Sequence, residues 1–222
     1  MKKKNLIIVG SSGHAKVVID IFEKQNSHNI LGLLDDYRKV NEESLEYKVI
    51  GGVKNFKEIV SKYKPFDVFV AVGDNWARQK VVNIITSIFP DVVFASAIHP
   101  SSQIGKGVKI GKGVAVMANV VVNSGSFISD YCFLNTKSSA GHDVHMNIFS
   151  SLGPNVTIGG NVTIGEYTAI SIGATTKEKL NIGKHSIIGA GALLMSDCPD
   201  NVIMYGLPAK VIRKREIGEK YV

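Results

Sequence analysis

The second half of the chain carries an aliphatic side chain at every sixth position, from Ile98 to Leu194. Only Ala140 and Thr176 depart from Ile, Leu, Val or Met along this series. An α-helix repeats near 3.6 residues and a strand at 2, so a strict period of six predicts short strands separated by regular corners. Gly or Asn often follows the aliphatic residue, and we expect these residues to supply the positive φ of the corners.

Three such strands form one triangular coil of eighteen residues, and the coils stack so that the aliphatic positions make an internal ladder. The pattern therefore predicts a left-handed parallel β-helix of five to six coils. The ladder includes the position two residues before each aliphatic residue, where Cys132 lies. We expect Cys132 to be a buried, reduced thiol, since two cysteines cannot make a disulfide framework.

The first part of the chain has a different pattern. Buried-strand runs at residues 5–9, 30–34 and 68–72 each end in glycine or acidic residues, and the first is followed by a glycine turn and an amphipathic helical segment. This order predicts a small, Rossmann-like α/β domain. We expect residues 1–95 to form this domain, residues 96–205 the β-helix and residues 206–222 a C-terminal segment.

A glycine turn between a strand and a helix has phosphate-binding geometry. Gly10 and Gly13 allow backbone N–H groups to approach a diphosphate, and the helix N-terminus adds its positive dipole end. Asp35 or Asp36 could accept hydrogen bonds from a ribose, and Gly73 follows the third strand at the same sheet edge. The turn is G-x-x-G, which favours a nucleotide-linked ligand over NAD. A tight turn without ligand is the open alternative.

Charge and hydropathy limit the partners. The net charge of +7 attracts anions, but the basic residues are not interleaved with aromatic ones, so nucleic acid is disfavoured against a small phosphorylated ligand or solubility alone. No stretch is long enough for a membrane span, and the apolar run near the start is too short for a signal peptide. We expect a cytoplasmic protein.

Three histidines in the repeat, His142, His145 and His185, fall on neither inward position, and we expect all three to point outward. His142 follows a corner glycine and precedes Asp143, which could fix its tautomer. Such an imidazole can act as a general base, and the backbone N–H of Gly160, one coil along, could bind a developing oxyanion. A zinc site on His142 and His145 is a second reading, but it lacks a third histidine.

Four separated segments, IIVGSSGHAKVVIDIF, VAVGDNWARQK, LNTKSSAGHDV and YGLPAKVIRK, together resemble the bacterial sugar acyltransferases of the sialic-acid O-acetyltransferase type. The chain is most similar to the members that N-acetylate nucleotide-linked 4-amino sugars of the bacillosamine and perosamine type. The resemblance implies a homotrimer, an N-terminal domain that holds the nucleotide sugar, acetyl-CoA lying between subunits, and His142 with Asp143 as the catalytic pair.

The resemblance also implies binding residues. For the nucleotide sugar these are Gly10, Ser12, Gly13, His14, Asp35 and Asp36, with Asn135 near the amino sugar. For the coenzyme they are Gly160, Gly173, Gly191, Pro208, Lys210 and Arg213. The chain departs from many members at Ser151, where they carry a second histidine.

The sequence thus predicts an acetyl-CoA-dependent N-acetyltransferase for cell-surface glycan biosynthesis, with direct transfer and no metal. Neither Cys132 nor Cys198 has an evident base, which disfavours a covalent acyl carrier. The unbroken register leaves no cleft within one prism, so a deep acyl-CoA site implies a groove between copies of a trimer. Three alternatives stay open: O-acetylation of sialic acid or a related sugar, a zinc-dependent hydratase, and a non-catalytic scaffold.

Overall fold

The computed structural model describes residues 3–220. Residues 1–2 of the expected first domain and residues 221–222 of the expected C-terminal segment lie outside the described residues. The chain divides into two compact units, Met1–Ile98 and His99–Val222. Among the described residues, no helix combines the length and the apolar character that crossing a membrane requires.

The first unit alternates strands and helices. Its elements are β1 (Lys4–Val9), α1 (Gly13–Gln25), β2 (His28–Leu34), β3 (Glu43–Ser44), β4 (Tyr47–Gly51), a 3₁₀ turn (Val53–Asn55), α2 (Phe56–Tyr63), β5 (Asp67–Val70), α3 (Asn75–Ile88) and β6 (Ala97–Ile98).

Five of these strands form a sheet in the order β3-β4-β2-β1-β5. All neighbours are parallel except the β3–β4 hairpin. Strand β1 lies between β2 and β5, and its residues Leu6, Ile7 and Ile8 are fully buried. Because β1, β2 and β5 are parallel neighbours, their carboxyl ends lie along one sheet edge, which is where open α/β sheets bind ligands. The predicted α/β fold is confirmed.

The second unit is a parallel β-helix built from two-residue strands at intervals of six. They are β7 (Gln103–Ile104), β8 (Lys109–Ile110), β9 (Ala115–Val116), β10 (Val121–Val122), β11 (Phe127–Ile128), β12 (Phe133–Leu134), β13 (Ser139–Ala140), β14 (His145–Met146), β15 (Ser151–Leu152), β16 (Thr157–Ile158), β17 (Thr163–Ile164), β18 (Ala169–Ile170), β19 (Thr175–Thr176), β20 (Asn181–Ile182), β21 (Ile187–Ile188) and β22 (Leu193–Leu194).

Each strand pairs with the strand eighteen residues away, as Ser139 does with Thr157, so every third strand shares a sheet. The first sheet runs from β7 through β13 to β22, the second from β8 through β14 to β20, and the third contains β9, β12, β15, β18 and β21. A hairpin of β23 (Val202–Gly206) and β24 (Ala209–Lys214) extends the third sheet beyond β21. The predicted β-helix is confirmed.

The internal ladder is buried at every sixth position from Val116 to Leu194. Ile104 is 39% exposed, because it belongs to the first coil of the unit and its strand pairs on one side only within this unit. Cys132 is fully buried, as expected, and its thiol donates to the carbonyl of Asn147 at 3.0 Å.

The expected reason for the corner glycines is wrong. Positive φ recurs three residues after each aliphatic position, for example at Asp143 and Tyr131, and not at the glycine that directly follows it. That glycine is needed because the next coil passes very close: a Cβ on Gly141 would lie 2.6 Å from the backbone nitrogen of Gly160. Close approach of backbone, rather than conformational freedom, selects glycine there.

Candidate active site

His142 lies at the corner that joins β13 to β14, which we call the His142 corner (residues 141–143 and their equivalents one coil away). Its side chain is 64% exposed, so the expected outward direction is confirmed. Nδ1 of His142 is 2.8 Å from Oδ2 of Asp143. When Nδ1 carries the proton in this hydrogen bond, Nε2 is left as the basic nitrogen, which is the tautomer that a general base needs.

Two glycines from neighbouring coils support this pair. A Cβ on Gly160 would lie 2.6 Å from Nε2 of His142, and a Cβ on Gly125 would collide with the Asp143 carboxylate. The imidazole therefore lies directly over the backbone of Gly160. Within residues 3–220 the Gly160 N–H donates no backbone hydrogen bond.

The other predicted β-helix residues lie at a different corner, which joins the third sheet to the first. Asn135, Gly173 and Gly191 belong to it, and the Oδ1 atom of Asn135 accepts the Thr136 N–H at 2.8 Å. A Cβ on Gly173 or Gly191 would meet nothing within 4 Å, so this corner is open. Since the face that contains β13 separates the two corners, the structure brings Gly160 to His142 but does not bring Asn135, Gly173 or Gly191 there.

Pro208, Lys210 and Arg213 all lie on the C-terminal hairpin or its turn. Lys210 is exposed, whereas both guanidinium nitrogens of Arg213 bind the Glu219 carboxylate, at 3.0 Å and 2.5 Å. Hydrogen bonding to Arg213 lowers the pKa of Glu219 to about 2. A phosphate that binds Arg213 would have to share it with Glu219 or displace that carboxylate.

His185 differs from the other two histidines of the repeat in its exposure, although it occupies the same coil position as the exposed Lys137 and Lys179. His145 is exposed, but His185 is buried, with 9% of its surface accessible. Its ring stacks on Tyr167 with centroids 4.9 Å apart. Tyr131, Phe149 and Tyr167 stack in the same way below it, and we call these four rings the aromatic row. Burial, with help from Lys184, lowers the pKa of His185.

In the first unit, a cavity of about 100 Å³ lies at the carboxyl ends of β1 and β2. Three of the predicted residues, Gly10, Asp35 and Asp36, line it together, and Tyr37 and Val72 complete its polar and apolar walls. Ser12 and Gly13 are exposed at the N-terminus of α1, in the turn that begins at Gly10. Gly73 follows β5 at the same sheet edge. The structure thus collects the predicted nucleotide residues of this unit at one edge.

Two predicted groups in this cavity are already engaged. The Gly10 N–H donates to the Leu34 carbonyl at 2.7 Å, so Gly10 serves the turn through its φ of 111° and its close approach to Ala71 rather than through a free N–H. The Asp35 carboxylate accepts the Ser11 hydroxyl at 2.5 Å and the Tyr37 N–H at 2.8 Å. Burial raises the pKa of Asp35, but these hydrogen bonds outweigh it and hold the pKa below its usual value.

His14 is a half-buried residue in the first turn of α1. Burial, and then the charge of Arg78, lower its pKa from 6.5 to about 4. The imidazole is therefore neutral near pH 7. Arg78 itself is fully buried and donates to the carbonyls of Val72 and Gly73.

Several known proteins are similar to this chain in sequence and structure. The family described as the PglD N-terminal domain matches residues 5–85. A histidine-to-asparagine mutant of perosamine N-acetyltransferase from Caulobacter crescentus, solved in complex with CoA and GDP-perosamine, is 31% identical to this chain. The match covers 95% of this chain and 97% of that one, with a TM-score of 0.89. The chain belongs to this family of sugar N-acetyltransferases.

Two further relatives of this acetyltransferase support the assignment. The acetyltransferase domain of PglB from Neisseria gonorrhoeae FA1090, in complex with acetyl coenzyme A, is 30% identical over 95% of this chain and 100% of that one, with a TM-score of 0.86. Galactoside O-acetyltransferase of Escherichia coli (strain K12) is 37% identical over 89 residues. That match spans only 39% of this chain and 41% of the curated relative.

Sequence reasoning missed three residues that shape the sites of this acetyltransferase. Ser11 and Arg78 are buried and act on Asp35 and on the end of β5, and Gly125 supports Asp143. The serine within the glycine turn was a usable signal for Ser11. Arg78 had none, because a helical arginine usually lies on the surface. In the part of the chain that the structure describes, no three His, Cys, Asp or Glu side chains cluster as a metal site would require.

Proposed function

We propose that this chain is an acetyl-CoA-dependent N-acetyltransferase that acts on the 4-amino group of a nucleotide-linked amino-deoxy sugar, for cell-surface glycan biosynthesis. One observation carries the proposal: an exposed imidazole, hydrogen-bonded to Asp143 at 2.8 Å, lies over Gly160 in a chain of the sugar N-acetyltransferase family. The relatives solved with CoA, acetyl-CoA or GDP-perosamine support the two ligand classes.

The proposed chemistry is a direct transfer. The amine nitrogen attacks the thioester carbonyl carbon, the C–N bond forms and the C–S bond breaks. Nε2 of His142 takes the proton from the amine and can return it to the departing thiolate of coenzyme A, while Asp143 holds Nδ1 and stabilises the imidazolium. The Gly160 N–H is free to stabilise the charge that develops on the carbonyl oxygen.

Neither cysteine fits a covalent acyl-enzyme route. Cys132 is fully buried inside the coils. Cys198 is also buried, and this burial raises the pKa of its thiol to about 11, so the thiolate is scarce at neutral pH. Nucleophilic cysteines need the opposite shift. Both positions favour transfer from acetyl-CoA to the sugar without an enzyme intermediate.

The division of the predicted residues between two corners supports a homotrimer. Asn135, Gly173 and Gly191 are open at one corner and His142 is exposed at another, so a second copy packed beside the first could bring the two kinds of corner to one groove. Such a groove would hold acetyl-CoA along the β-helix, with Lys210 exposed to its phosphates and Arg213 able to bind them only by sharing or displacing Glu219. Analytical ultracentrifugation measures the mass that this proposal requires.

In the first unit, the cavity beside Asp35 and Asp36 would take the nucleoside. The exposed Ser12 and Gly13 at the N-terminus of α1 would take the diphosphate, because the first N–H groups of a helix have no intrahelical partner. Acidic groups at the cavity suit N–H and hydroxyl donors of a base and a ribose.

The test is a coenzyme A release assay with acetyl-CoA and a panel of UDP-, GDP- and dTDP-linked 4-amino sugars, with free sialic acid included. We expect one nucleotide-linked amine to react with the highest kcat/KM and to yield an amide by mass spectrometry. Preferential acetylation of sialic acid would contradict the proposal and favour the O-acetyltransferase. Absence of turnover and of acetyl-CoA binding would favour the scaffold, and stoichiometric zinc with hydratase activity would favour the third alternative.

A further inference from the structure

Arg78 is the largest fully buried side chain of the described chain, and the proposed reaction does not use it. It lies in the first turn of α3, directly after the end of β5. Nη1 donates to the carbonyls of Val72 and Gly73, both at 3.0 Å, and Nη2 donates to Oδ1 of Asn75 at 2.7 Å. One guanidinium therefore binds two carbonyl oxygens just beyond the carboxyl end of β5 and the amide oxygen of Asn75 at the start of α3.

The same strand end adjoins the nucleotide turn. A Cβ on Gly10 would lie 2.8 Å from the Ala71 carbonyl oxygen, so the turn after β1 packs against the end of β5. Val72, whose carbonyl Arg78 binds, lines the cavity with Gly10 and Asp35. The charge of Arg78 also reaches His14, whose pKa it helps to lower. Arg78 thus lies behind the turn to which the proposed function assigns the diphosphate.

Carbonyl oxygens at the end of a strand repel an anion. By binding two of them, Arg78 removes acceptors from the region around the turn and leaves a positive charge in their place. Because this charge is buried, water and salt screen it less than they screen a surface lysine. A buried cation held rigidly by its hydrogen bonds also needs no reorganisation when an anion arrives.

We propose that Arg78 is a positioning residue that makes the end of β5 electrostatically compatible with the diphosphate of the substrate, so that the site discriminates nucleoside diphosphates from nucleosides. This inference rests on the proposed function, because it assumes that a nucleotide binds at this sheet edge. The discrimination between diphosphates and nucleosides then depends on Arg78, which supports the turn from the side of β5, as well as on the glycines of the turn and the N-terminus of α1.

The sharpest test changes the charge without changing the shape. In Asn75→Asp a carboxylate replaces the amide oxygen that lies 2.7 Å from Nη2, so the Arg78 charge is neutralised in place. Isothermal titration of the full chain with UDP, GDP and dTDP, and competition by the matching nucleosides, gives the ratio of the two dissociation constants. We expect this ratio to fall roughly tenfold or more in Asn75→Asp, with nucleoside affinity little changed.

Asn29→Asp is the matched control, because it adds the same charge to an exposed position near the start of β2, away from the carboxyl end of that strand. We expect its ratio to equal that of the wild type within about twofold. Arg78→Lys keeps the charge but loses the fork that binds three oxygens, so overall affinity should fall while the ratio is largely kept. Arg78→Met removes the charge, so its ratio of dissociation constants should fall as in Asn75→Asp. If Arg78→Met does not fold, Arg78→Lys still tests the role of the charge.

The outcomes are distinguishable. Equal losses for diphosphate and nucleoside in Asn75→Asp, or a ratio that collapses in Arg78→Lys as well, would mean that Arg78 has a structural role only, and would overturn this inference alone. A wild-type chain that binds none of the three diphosphates would overturn the nucleotide part of the proposed function and this inference with it.

Discussion

Two corners of the β-helix have the same backbone conformation, but the histidine is exposed at one corner and buried at the other. At the His142 corner, Asp143 has a φ of 57° and the side chains leave a histidine 64% exposed. At the corner that joins the second sheet to the third, His185 has a φ of 56°, and the aromatic row fills the space around it. The backbone repeat makes both corners, but the residues one coil away decide what each corner does.

Eighteen residues from His185 lies Tyr167, which stacks on it, whereas eighteen residues from His142 lies Gly160, which leaves its imidazole uncovered by any side chain from that coil. A histidine over a glycine keeps one face and one nitrogen for a ligand. A histidine in a row of rings contributes to packing instead. Histidine is therefore a candidate general base at one corner and a packing residue at the other.

The largest effect is expected from His142→Asn. Removal of a general base should lower kcat by roughly 10²- to 10⁴-fold, with Tm close to the wild-type value because the side chain is exposed. His145→Asn is the matched control, since His145 is also exposed but lies on a neighbouring strand, and it should keep near-normal kcat. Similar losses in both variants would remove the distinction that this account gives to the His142 corner.

Substitutions in the aromatic row should lower the free energy of unfolding. Phe149→Ala removes a ring that stacks on Tyr131 and Tyr167, and we expect a loss of about 3–5 kcal/mol in the free energy of unfolding, with kcat per folded molecule unchanged. Phe127→Ala is the control, because Phe127 is 41% exposed and should cost less than about 1 kcal/mol. Thermal unfolding of both variants, together with activity below the transition, measures the contrast.

Gly160→Ala tests the glycine beneath His142. The new methyl group would lie 2.6 Å from Nε2 and must displace the imidazole, so kcat should fall roughly 10²-fold. In the His142→Asn background the same change should have little further effect, because the displaced base is already absent. Additive losses in this double-mutant cycle would place the role of Gly160 elsewhere.

The smallest effect is a pH dependence. Since burial lowers the pKa of His185 in the folded chain, the unfolded chain binds a proton more readily, and the stability from this group is complete above pH 6.5 and decreases as pH falls below it. His185→Asn should flatten this part of the Tm–pH curve, and His142→Asn should not. The lowered pKa of His14 gives a stability change of the same sign, so the comparison is between variants rather than with the wild type alone.

The β-helix could be predicted because its period is local: the ladder from Val116 to Leu194 follows directly from the spacing of the aliphatic residues. The exposure of its corner residues could not. Whether a corner side chain is covered depends on the residue eighteen positions away, as His185 and Tyr167 show. The rule that separates inward from outward positions does not distinguish the exposed His142 from the buried His185.

The nucleotide edge could be predicted in part. Gly10, Asp35 and Asp36 follow apolar runs and do share one cavity. Ser11 was missed because its partner, Asp35, lies 24 positions away and is brought near by the parallel pairing of β1 and β2. Arg78 was missed for a different reason: its partners Val72, Gly73 and Asn75 are close in sequence, but the apolar pattern gives no sign that a helical arginine is buried.

The most direct test of the proposed reaction is a crystal structure with coenzyme A and the preferred nucleotide-linked amino sugar bound, in which the distance from Nε2 of His142 to the amine nitrogen is measured. We expect about 2.6–3.2 Å, or one bridging water, with the Gly160 N–H near the position of the acetyl oxygen. An amine that binds beyond the reach of His142, at another corner or beside another base, would contradict the assignment of the reaction to this corner.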